Sequence, residues 1–384
     1  MIVPFDANKL NTLLEEAGLD LLLVTTRHNI RYLTGGYHNH YHARMRRTGT
    51  TRYLTVLGLP QGQLDRAFFI TGEEELPTVE WRRLWVPQVH ATRQQDRASF
   101  FQDSQSAART TANIVHSLGF AGARIGLELP FLPAETYLLW RDEFPRARFS
   151  DATALLGELR AIKTEAELDL LRRNAAGTVD AMQATFRAGQ AGTTTAELAD
   201  RLQLELVRRG LELQWALIAM GVDGPQRRWP SERAWQPGEI LRIDSGGGLD
   251  DYLVDLSRMG CLGEPPKLAQ AIFADCLVIN DSVIRAVKPG LTCGELYTLA
   301  QDALKQSAYS QYGQHVTHGM GLVTHDPPDV EAGSERVLEP GMVMSLEAQF
   351  EHPQAGDIRI EDMVAVTASG CEPLGHTGRE WCIV

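Results

Sequence analysis

Apolar and polar residues follow two different periods along the first 150 positions of the chain. A helical spacing of apolar residues over Lys9–Ala17 precedes an almost continuous apolar run over 19–26, and similar runs recur over 66–72 and 123–129. Short apolar runs of this kind are typical of buried strands. The pattern therefore predicts an α/β domain with its own hydrophobic core.

The pattern changes after Ala161, where longer helices alternate with strands. A helix begins at the capping box Thr164-x-x-Glu167 and ends before Gly189. Helices paired with mostly antiparallel strands, once in each half, predict an α+β domain with a pseudo-twofold axis. We place the boundary near residue 152, which gives domains 1–152 and 153–384. Further helices are predicted over 195–209, 267–287 and 293–308, and strands near 213–221, 239–245, 251–258, 315–323, 342–350 and 358–367.

The second domain repeats its own sequence signals. The motif G-x-T-x-x-E-L begins at Gly192 and again 98 positions later at Gly290. Further along, a Pro-Gly pair and an apolar strand twice precede an acid by seven residues. Small insertions in loops explain the drift between the two copies. The acids at matching places are Asp244 with Glu347 and, 106 positions apart, Asp255 with Glu361.

A duplicated half-domain would bring these four carboxylates together, and like charges at close range cannot all stay ionised without a cation. His318 lies in HGMGLVTH between two glycines, and His325 follows seven residues later. Four carboxylates and one imidazole suit two divalent ions of the manganese, cobalt, iron or zinc type. Such a pair activates water and polarises a carbonyl, which is the equipment for hydrolysing an amide. His325 could then donate a proton or hydrogen bond to the reacting group.

Each residue also has a purely structural interpretation. Asp244 could be a turn acid, Asp255 and Glu361 could form ion pairs with Arg258 and Arg359, and His325 could cap a loop. The duplication and the joint spacing favour the metal site over these separate explanations.

Composition narrows the class of protein. The formal net charge of −12 over 384 residues argues against nucleic acid or an anionic membrane as the main partner. The five cysteines have no paired spacing and are expected to be reduced thiols of a cytoplasmic protein. We find no apolar leader at the N-terminus and no uncharged apolar run of about 18 residues. A cytoplasmic location is therefore expected.

The motifs together resemble the pita-bread metallopeptidases, a family that includes methionine aminopeptidase, aminopeptidase P, prolidase and creatinase. The resemblance rests on the two aspartates eleven positions apart, HGMG with a histidine seven residues later, LEPGMVMSLE and GDIRIED. NIRYLTGG at 29–36 is similar to the creatinase-type N-terminal domain. The implied fold is an α/β creatinase-type domain followed by an α+β pita-bread catalytic domain.

The resemblance also implies roles for individual residues. Asp244 would chelate the first metal, Asp255 and Glu361 would bridge both, and His318 with Glu347 would complete the second. Glu347 would also take the proton from the bridging water, and His325 would contact the scissile group. Arg359 would orient the carboxylates from outside the ligand set.

The chain departs from proline-specific members of this family in two places. Those members carry a further histidine about seventeen residues before the first metal aspartate, where this chain has Arg227, followed by Arg228 and Trp229. A guanidinium cannot shuttle protons near neutral pH but binds carboxylates, so we expect these residues to contact an anionic substrate group, although a solvated basic loop is the alternative. After Glu347 the usual Pro-Gly is replaced by Ala348-Gln349, which predicts a different pocket wall.

A third unusual segment is YHNHYHARMRR, in which His38, His40 and His42 alternate. On an extended segment all three would project from one side. In dimeric members of the family the N-terminal domain reaches the partner's active site, so His38 and His40 are candidate substrate contacts in a homodimer. An exposed loop with incidental histidines is the alternative.

The leading functional hypothesis is a dinuclear-metal hydrolase of small peptides, most simply an Xaa-Pro dipeptidase or aminopeptidase. The alternative is hydrolysis of a small carboxylated amide or amidine, as in creatinase and ectoine hydrolase. A lyase on the same scaffold is a more distant hypothesis. A binding module is also more distant, because relatives that only bind partners typically lose metal ligands, whereas this chain keeps all five.

Overall fold

The computed structural model describes residues 2–37, 54–92, 104–223 and 229–384. The chain divides into two compact units, Met1–Leu159 and Arg160–Val384. The division falls at the end of α6 (Thr153–Arg160), whereas the predicted boundary falls before this helix. Leu156 and Leu159 of α6 pack into a core cluster of the first unit, which is why the helix belongs there.

The described part of the first unit contains a six-stranded sheet with helices on both faces. All four residues of its central strand β1 are fully buried, and they alternate between two core clusters: Leu22 and Val24 face one cluster, Leu21 and Leu23 the other. This confirms the predicted α/β class. The strands are β1 (Leu21–Val24), β2 (Val56–Pro60), β3 (Phe68–Gly72), β4 (Gln88–Thr92), β5 (Arg124–Leu127) and β6 (Arg148–Asp151), in the spatial order β4-β3-β2-β1-β5-β6.

Five helices precede α6 in the described residues: α1 (Ala7–Glu16), α2 (Arg27–Thr34), α3 (Leu76–Arg82), α4 (Ser104–Ser117) and α5 (Ala134–Glu143). The buried carboxylate of Glu128 accepts hydrogen bonds from the backbone N–H groups of Thr25 and Thr26 and from Asn29. These contacts join the end of β1 to the start of α2. The alternating histidines His38, His40 and His42, the first two of which the sequence offers as candidate substrate contacts, lie outside the described residues.

The described part of the second unit packs four helices on one face of a ten-stranded sheet. The helices are α7 (Glu165–Ala188), α8 (Thr195–Arg208), α9 (Lys267–Ala286) and α10 (Cys293–Lys305). The main strands are β7 (Glu212–Met220), β8 (Ile240–Leu249), β10 (Leu256–Cys261), β11 (Gly313–Met320), β12 (Thr324–Asp329), β13 (Val343–His352) and β14 (Gly356–Val366), in the order β12-β11-β13-β14-β10-β8-β7. The short strands β9 (Tyr252–Leu253), β15 (Cys371–Leu374) and β16 (Cys382–Ile383) pair with β8, β14 and β10. The α+β class is confirmed.

The predicted duplication is visible in backbone contacts that occur twice. Thr194 and Thr292 each close a full capping box, and each also forms an isolated bridge, to Ala234 and to Val337. The glycines two residues before these threonines both have φ of 89°, a left-handed conformation that costs glycine little. Each half therefore contains the same loop, capped helix and bridge.

All five cysteines are free, as predicted from their spacing. No helix among the described residues is long and apolar enough to cross a bilayer.

Candidate metal centre

The predicted ligands meet because five neighbouring strands are in register. Asp244 on β8 pairs with Ser257 on β10, Ser257 with Glu361 on β14, and Glu361 with Glu347 on β13. Residues directly opposite on adjacent strands point to the same face of a sheet. The row crosses the junction of the two halves, so the duplication explains why an acid stands on each side.

The remaining two ligands extend this row. Glu347 pairs with Val316 on β11, and His318 lies two residues beyond Val316. Because the period of a strand is two, His318 shares the face of the carboxylates. Asp255 immediately precedes β10, at 3.9 Å from His318 Nε2 through Oδ2, and Glu361 Oε1 lies 3.8 Å from the same nitrogen.

Two groups of donors can each surround one cation. Oxygen and nitrogen atoms of Asp255, His318 and Glu361 lie within 4.8 Å of one another, and so do carboxylate oxygens of Asp244, Glu347 and Glu361. Glu361 belongs to both groups. Oxygen donors with one imidazole match the preferences of hard to borderline divalent metals.

Burial makes a metal-free centre electrostatically unfavourable. Loss of water, followed by repulsion from neighbouring carboxylates, raises the pKa of Asp255 and of Glu361 well above the ordinary range. Burial also raises the pKa of Glu347. Asp255 Oδ1 is buried without a hydrogen-bond donor among the described residues. A cation would neutralise these carboxylates and coordinate that oxygen, so the residues fit a metal site.

The histidine of the centre is held neutral. Burial lowers the pKa of His318 to about 4, and its Nδ1 lies 3.3 Å from the carbonyl oxygen of Gly319. A proton on Nδ1 leaves Nε2, which faces Asp255 and Glu361, free to bind a metal.

Arg359 occupies the place expected for a residue that orients the ligands. Its Nη1 donates to Asp244 Oδ2 at 2.9 Å and contacts Glu347 Oε1, and its Nε lies 3.5 Å from Asp357. It therefore holds one carboxylate from each half of the domain.

Arg242 and Asp357 are part of the site but were missed in the sequence analysis. Arg242 is fully buried, with Nη1 3.0 Å from Asp244 and Nη2 3.0 Å from Asp357. A sequence signal did exist: charged residues alternate in LRID and in GDIRIED, two strands that are otherwise buried. Charges at every second position of a buried strand indicate a polar row on one face.

The purely structural interpretations of the acids are wrong. Asp244 lies within β8 and not in a turn. Arg258 forms its ion pair with Asp362 on the helix-covered side of the sheet, and its contact with Glu361 is to the backbone oxygen and not to the carboxylate. Arg359 forms ion pairs with carboxylates other than Asp255 and Glu361, as described above.

His325 lies over the centre on β12. Its ring stacks on that of His318 with centroids 4.1 Å apart and planes 10° from parallel, and it is exposed. Its backbone has φ of 58°, which is unusual for a residue with a side chain. Gly319 allows this arrangement, because a Cβ there would overlap the carbonyl oxygen of Asp326.

Asp326 anchors the segment that carries His325. The Asp326 carboxylate is 1% exposed, accepts a 2.7 Å hydrogen bond from Arg160 Nη2 and lies 3.9 Å from Lys163 Nζ. We expect Asp326→Asn to lower turnover about tenfold while metal content stays at the wild-type level, because His325 loses its fixed position and no ligand changes. Steady-state kinetics with metal analysis checks this. Equal loss of metal and turnover would contradict it.

The raised carboxyl pKa values predict how the metal-free protein responds to pH. A carboxyl whose pKa is raised in the folded state stabilises the fold fully below its ordinary pKa and loses that contribution as pH rises through the raised value. The lowered pKa of His318 has the opposite effect, but only at pH values below its ordinary pKa of 6.5. Above pH 6.5 the carboxyl groups therefore set the trend. We therefore expect the melting temperature of the metal-free protein to fall from pH 6.5 upward, and to fall less with metal bound.

The same pKa shifts predict that metal binding releases protons, because ligand carboxylates must be ionised. Calorimetric titration in two buffers with different ionisation enthalpies measures this release. A binding enthalpy that does not depend on the buffer, together with a melting temperature that rises above pH 6.5 without metal, would contradict the raised values.

Two substrate contacts proposed from the sequence, Arg227 and Arg228, lie outside the described residues. Trp229 is described and its side chain is 66% exposed. A substrate role for Arg227, Arg228 and Trp229 therefore stays a prediction from the sequence.

Comparison with known proteins agrees with the architecture. Residues 169–368, more than half of the chain, match the model of metallopeptidase family M24, and residues 7–162 match the creatinase/prolidase N-terminal domain. An uncharacterised peptidase, YqhT of Bacillus subtilis, is 25% identical over 380 residues, 98% of this chain and 99% of the relative. The Xaa-Pro dipeptidase of Lactobacillus helveticus is 30% identical over 264 residues, 67% of this chain and 72% of the relative.

A solved structure extends the likeness to the whole fold. The dipeptidase PepE from Mycobacterium ulcerans superposes with a TM-score of 0.80 at 26% identity, covering 98% of this chain and 97% of that chain. The predicted pita-bread fold with a creatinase-type N-terminal domain is thereby confirmed. The chain belongs to metallopeptidase family M24.

Proposed function

We propose that this metallopeptidase is an Xaa-Pro dipeptidase or aminopeptidase-like enzyme that uses two divalent ions. The observation that carries the proposal is the shared carboxylate of Glu361, which belongs to both donor groups. Relatives that cover most of the chain and carry the name Xaa-Pro dipeptidase support the substrate class.

In this proposal Asp244, Asp255, His318, Glu347 and Glu361 hold the ions. Manganese, cobalt, zinc and iron all accept this set of oxygen and imidazole ligands. Bound ions supply Lewis acidity, which lowers the pKa of water and polarises the scissile carbonyl.

The protein's own groups supply proton transfer and orientation. Glu347 accepts a proton from the attacking water. Arg359 keeps Glu347 and Asp244 in place through its ion pairs. The exposed imidazole of His325 hydrogen-bonds the reacting carbonyl or the departing nitrogen.

The cellular setting follows from family resemblance and composition. We propose a cytoplasmic homodimer in which His38 and His40 of the N-terminal domain, with Arg227, Arg228 and Trp229, contact the substrate. The net charge of −12 supports a small-molecule substrate over nucleic acid or a membrane surface.

The test is turnover of metal-free protein reconstituted with each of the four metals. The substrates are Xaa-Pro dipeptides, longer Xaa-Pro peptides, creatine and ectoine. We expect cleavage of Xaa-Pro dipeptides that EDTA abolishes and added metal restores. Turnover of creatine or ectoine without cleavage of any peptide, in protein with bound metal verified, would overturn the substrate class and leave the metal centre standing.

A further inference from the structure

The polar face of the sheet continues beyond the metal centre along β13. Glu347, Gln349 and Glu351 alternate along this strand and so share one face. Gln349 pairs with Gln314 on β11 and with Arg359 on β14. A second polar row therefore lies directly beside the ligand row. Gln349 in this row is one of the two residues, Ala348-Gln349, that stand where proline-specific members of the family have Pro-Gly.

A cavity of about 310 Å³ opens on this face of the sheet. Its walls come from the start of β11, the turn before it and the second half of β13. The lining residues are Gln311, Tyr312, Gly313, Gln314, Gln349 and Glu351.

Gln349 forms a buried polar floor for this cavity. Its side chain is 5% exposed, and its Oε1 is buried with no hydrogen-bond donor among the described residues. Leaving a buried acceptor unpaired is unfavourable, because it has lost its hydrogen bonds to water without gaining a partner. Such a group in a cavity wall indicates a ligand that brings a donor.

The unbalanced charge in the cavity is negative. The carboxylate of Glu351 is exposed and has no ion-pair partner within 4 Å among the described residues. The nearest cation by register, Arg359, is 6% exposed and is engaged by Asp244, Glu347 and Asp357. A protonated amine or a guanidinium supplies both the donors and the charge that this cavity lacks.

We propose that the cavity is a subsite for a cationic side chain of the substrate, with Glu351 pairing the charge and Gln349 accepting a hydrogen bond. The inference deepens the proposed peptidase function by naming peptides that carry lysine or arginine next to the scissile bond. Gln349 lies two positions beyond Glu347 along the strand, a distance of about 7 Å, and Glu351 lies two positions further. A lysine or arginine side chain on a residue at the metal centre is long enough to cover the first of these steps and enter the cavity that Gln349 and Glu351 line, and a short side chain is not.

The experiment compares kcat/KM of the metal-loaded enzyme on Lys-Pro, Arg-Pro, norleucine-Pro and Glu-Pro. We expect the basic dipeptides to be favoured over norleucine-Pro about tenfold, and Glu351→Gln to remove most of that preference by lowering kcat/KM on the basic dipeptides more than on norleucine-Pro. Gln349→Leu should reduce the preference in the same direction. Glu331→Gln makes the same charge change at another exposed position and should leave the preference intact.

A second measurement separates failure of the subsite from failure of the proposed peptidase function. Calorimetry gives the affinities of argininamide and leucinamide for metal-loaded wild type and Glu351→Gln. Tighter binding of argininamide that Glu351→Gln removes supports the subsite even if no dipeptide is cleaved. An unchanged preference in Glu351→Gln, or an equal loss for all substrates, would overturn the subsite, whereas norleucine-Pro cleavage would still support the peptidase.

Discussion

Replacement of Glu361 by alanine is expected to abolish metal binding and hydrolysis together. Glu361 is the residue that belongs to both donor groups, so its loss removes an oxygen ligand from two ions at once. The loss of activity should exceed the roughly 10- to 100-fold effect of mutating residues outside a ligand set. Metal analysis of the dialysed variant, read beside its kcat/KM, measures both effects.

Whether the fold tolerates loss of this carboxylate can be tested separately with Glu361→Gln, because the ionised wild-type carboxylate destabilises the metal-free fold. Burial, Asp255 and Glu347 raise the pKa of Glu361, so ionised Glu361 destabilises the metal-free fold. Metal-free Glu361→Gln should therefore melt no lower than metal-free wild type at pH 8. Glu331→Ala, at an exposed position, should keep both metal and activity. A Glu361→Ala protein that retains two equivalents of metal would contradict the assignment of Glu361 as a ligand of both ions.

The row of candidate acids was predictable from the sequence because duplication leaves a countable trace. Asp244 and Glu347 follow their Pro-Gly pairs at the same distance, and the capping boxes at Thr194 and Thr292 mark the equivalent helix in each half. These signals are local, and a strand period of two carries them to one face. Fold class and candidate ligands need no more information than this.

Partner choice among the buried charges was not predictable in the same way. Arg258 lies three positions after Asp255 and Arg359 two positions before Glu361, yet Arg258 pairs with Asp362 behind the sheet and Arg359 with Asp244 in front of it. Whether an arginine occupies an odd or an even position along its strand decides which face of the sheet its side chain is on. The register between β8, β10 and β14 then decides which carboxylate it meets. Register comes from tertiary packing.

The position of His325 also depends on tertiary structure. Its left-handed backbone and its stacking on His318 require β12 to pack closely over Gly319. Sequence alone supplies the seven-residue spacing but not the geometry of that approach. Contacts of this kind become visible only when both strands are in place.

Arg242→Met is expected to destabilise the protein by about 3–5 kcal/mol, the usual cost of breaking a buried ion pair by removing one partner. Arg242 is fully buried and pairs with Asp244 and Asp357 at 3.0 Å each. Methionine fills much of the same space but leaves Asp357 with Arg359 as its remaining cation, at 3.5 Å. Asp244 keeps Arg359 and the metal, so bound metal should recover part of the lost stability.

Lys305→Met is the matched control for this change. Lys305 pairs with Asp302 at 2.8 Å, but both side chains are more than 60% exposed, and an exposed pair of this kind contributes about 0–1 kcal/mol. Denaturant unfolding of both variants, with and without metal, gives the comparison. If Arg242→Met unfolds at the same denaturant concentration as Lys305→Met in metal-free protein, Arg242 is not required to balance the buried carboxylates. In the metal-free protein the balance would then rest on Arg359, because no other cation pairs with Asp244 or Asp357 among the described residues.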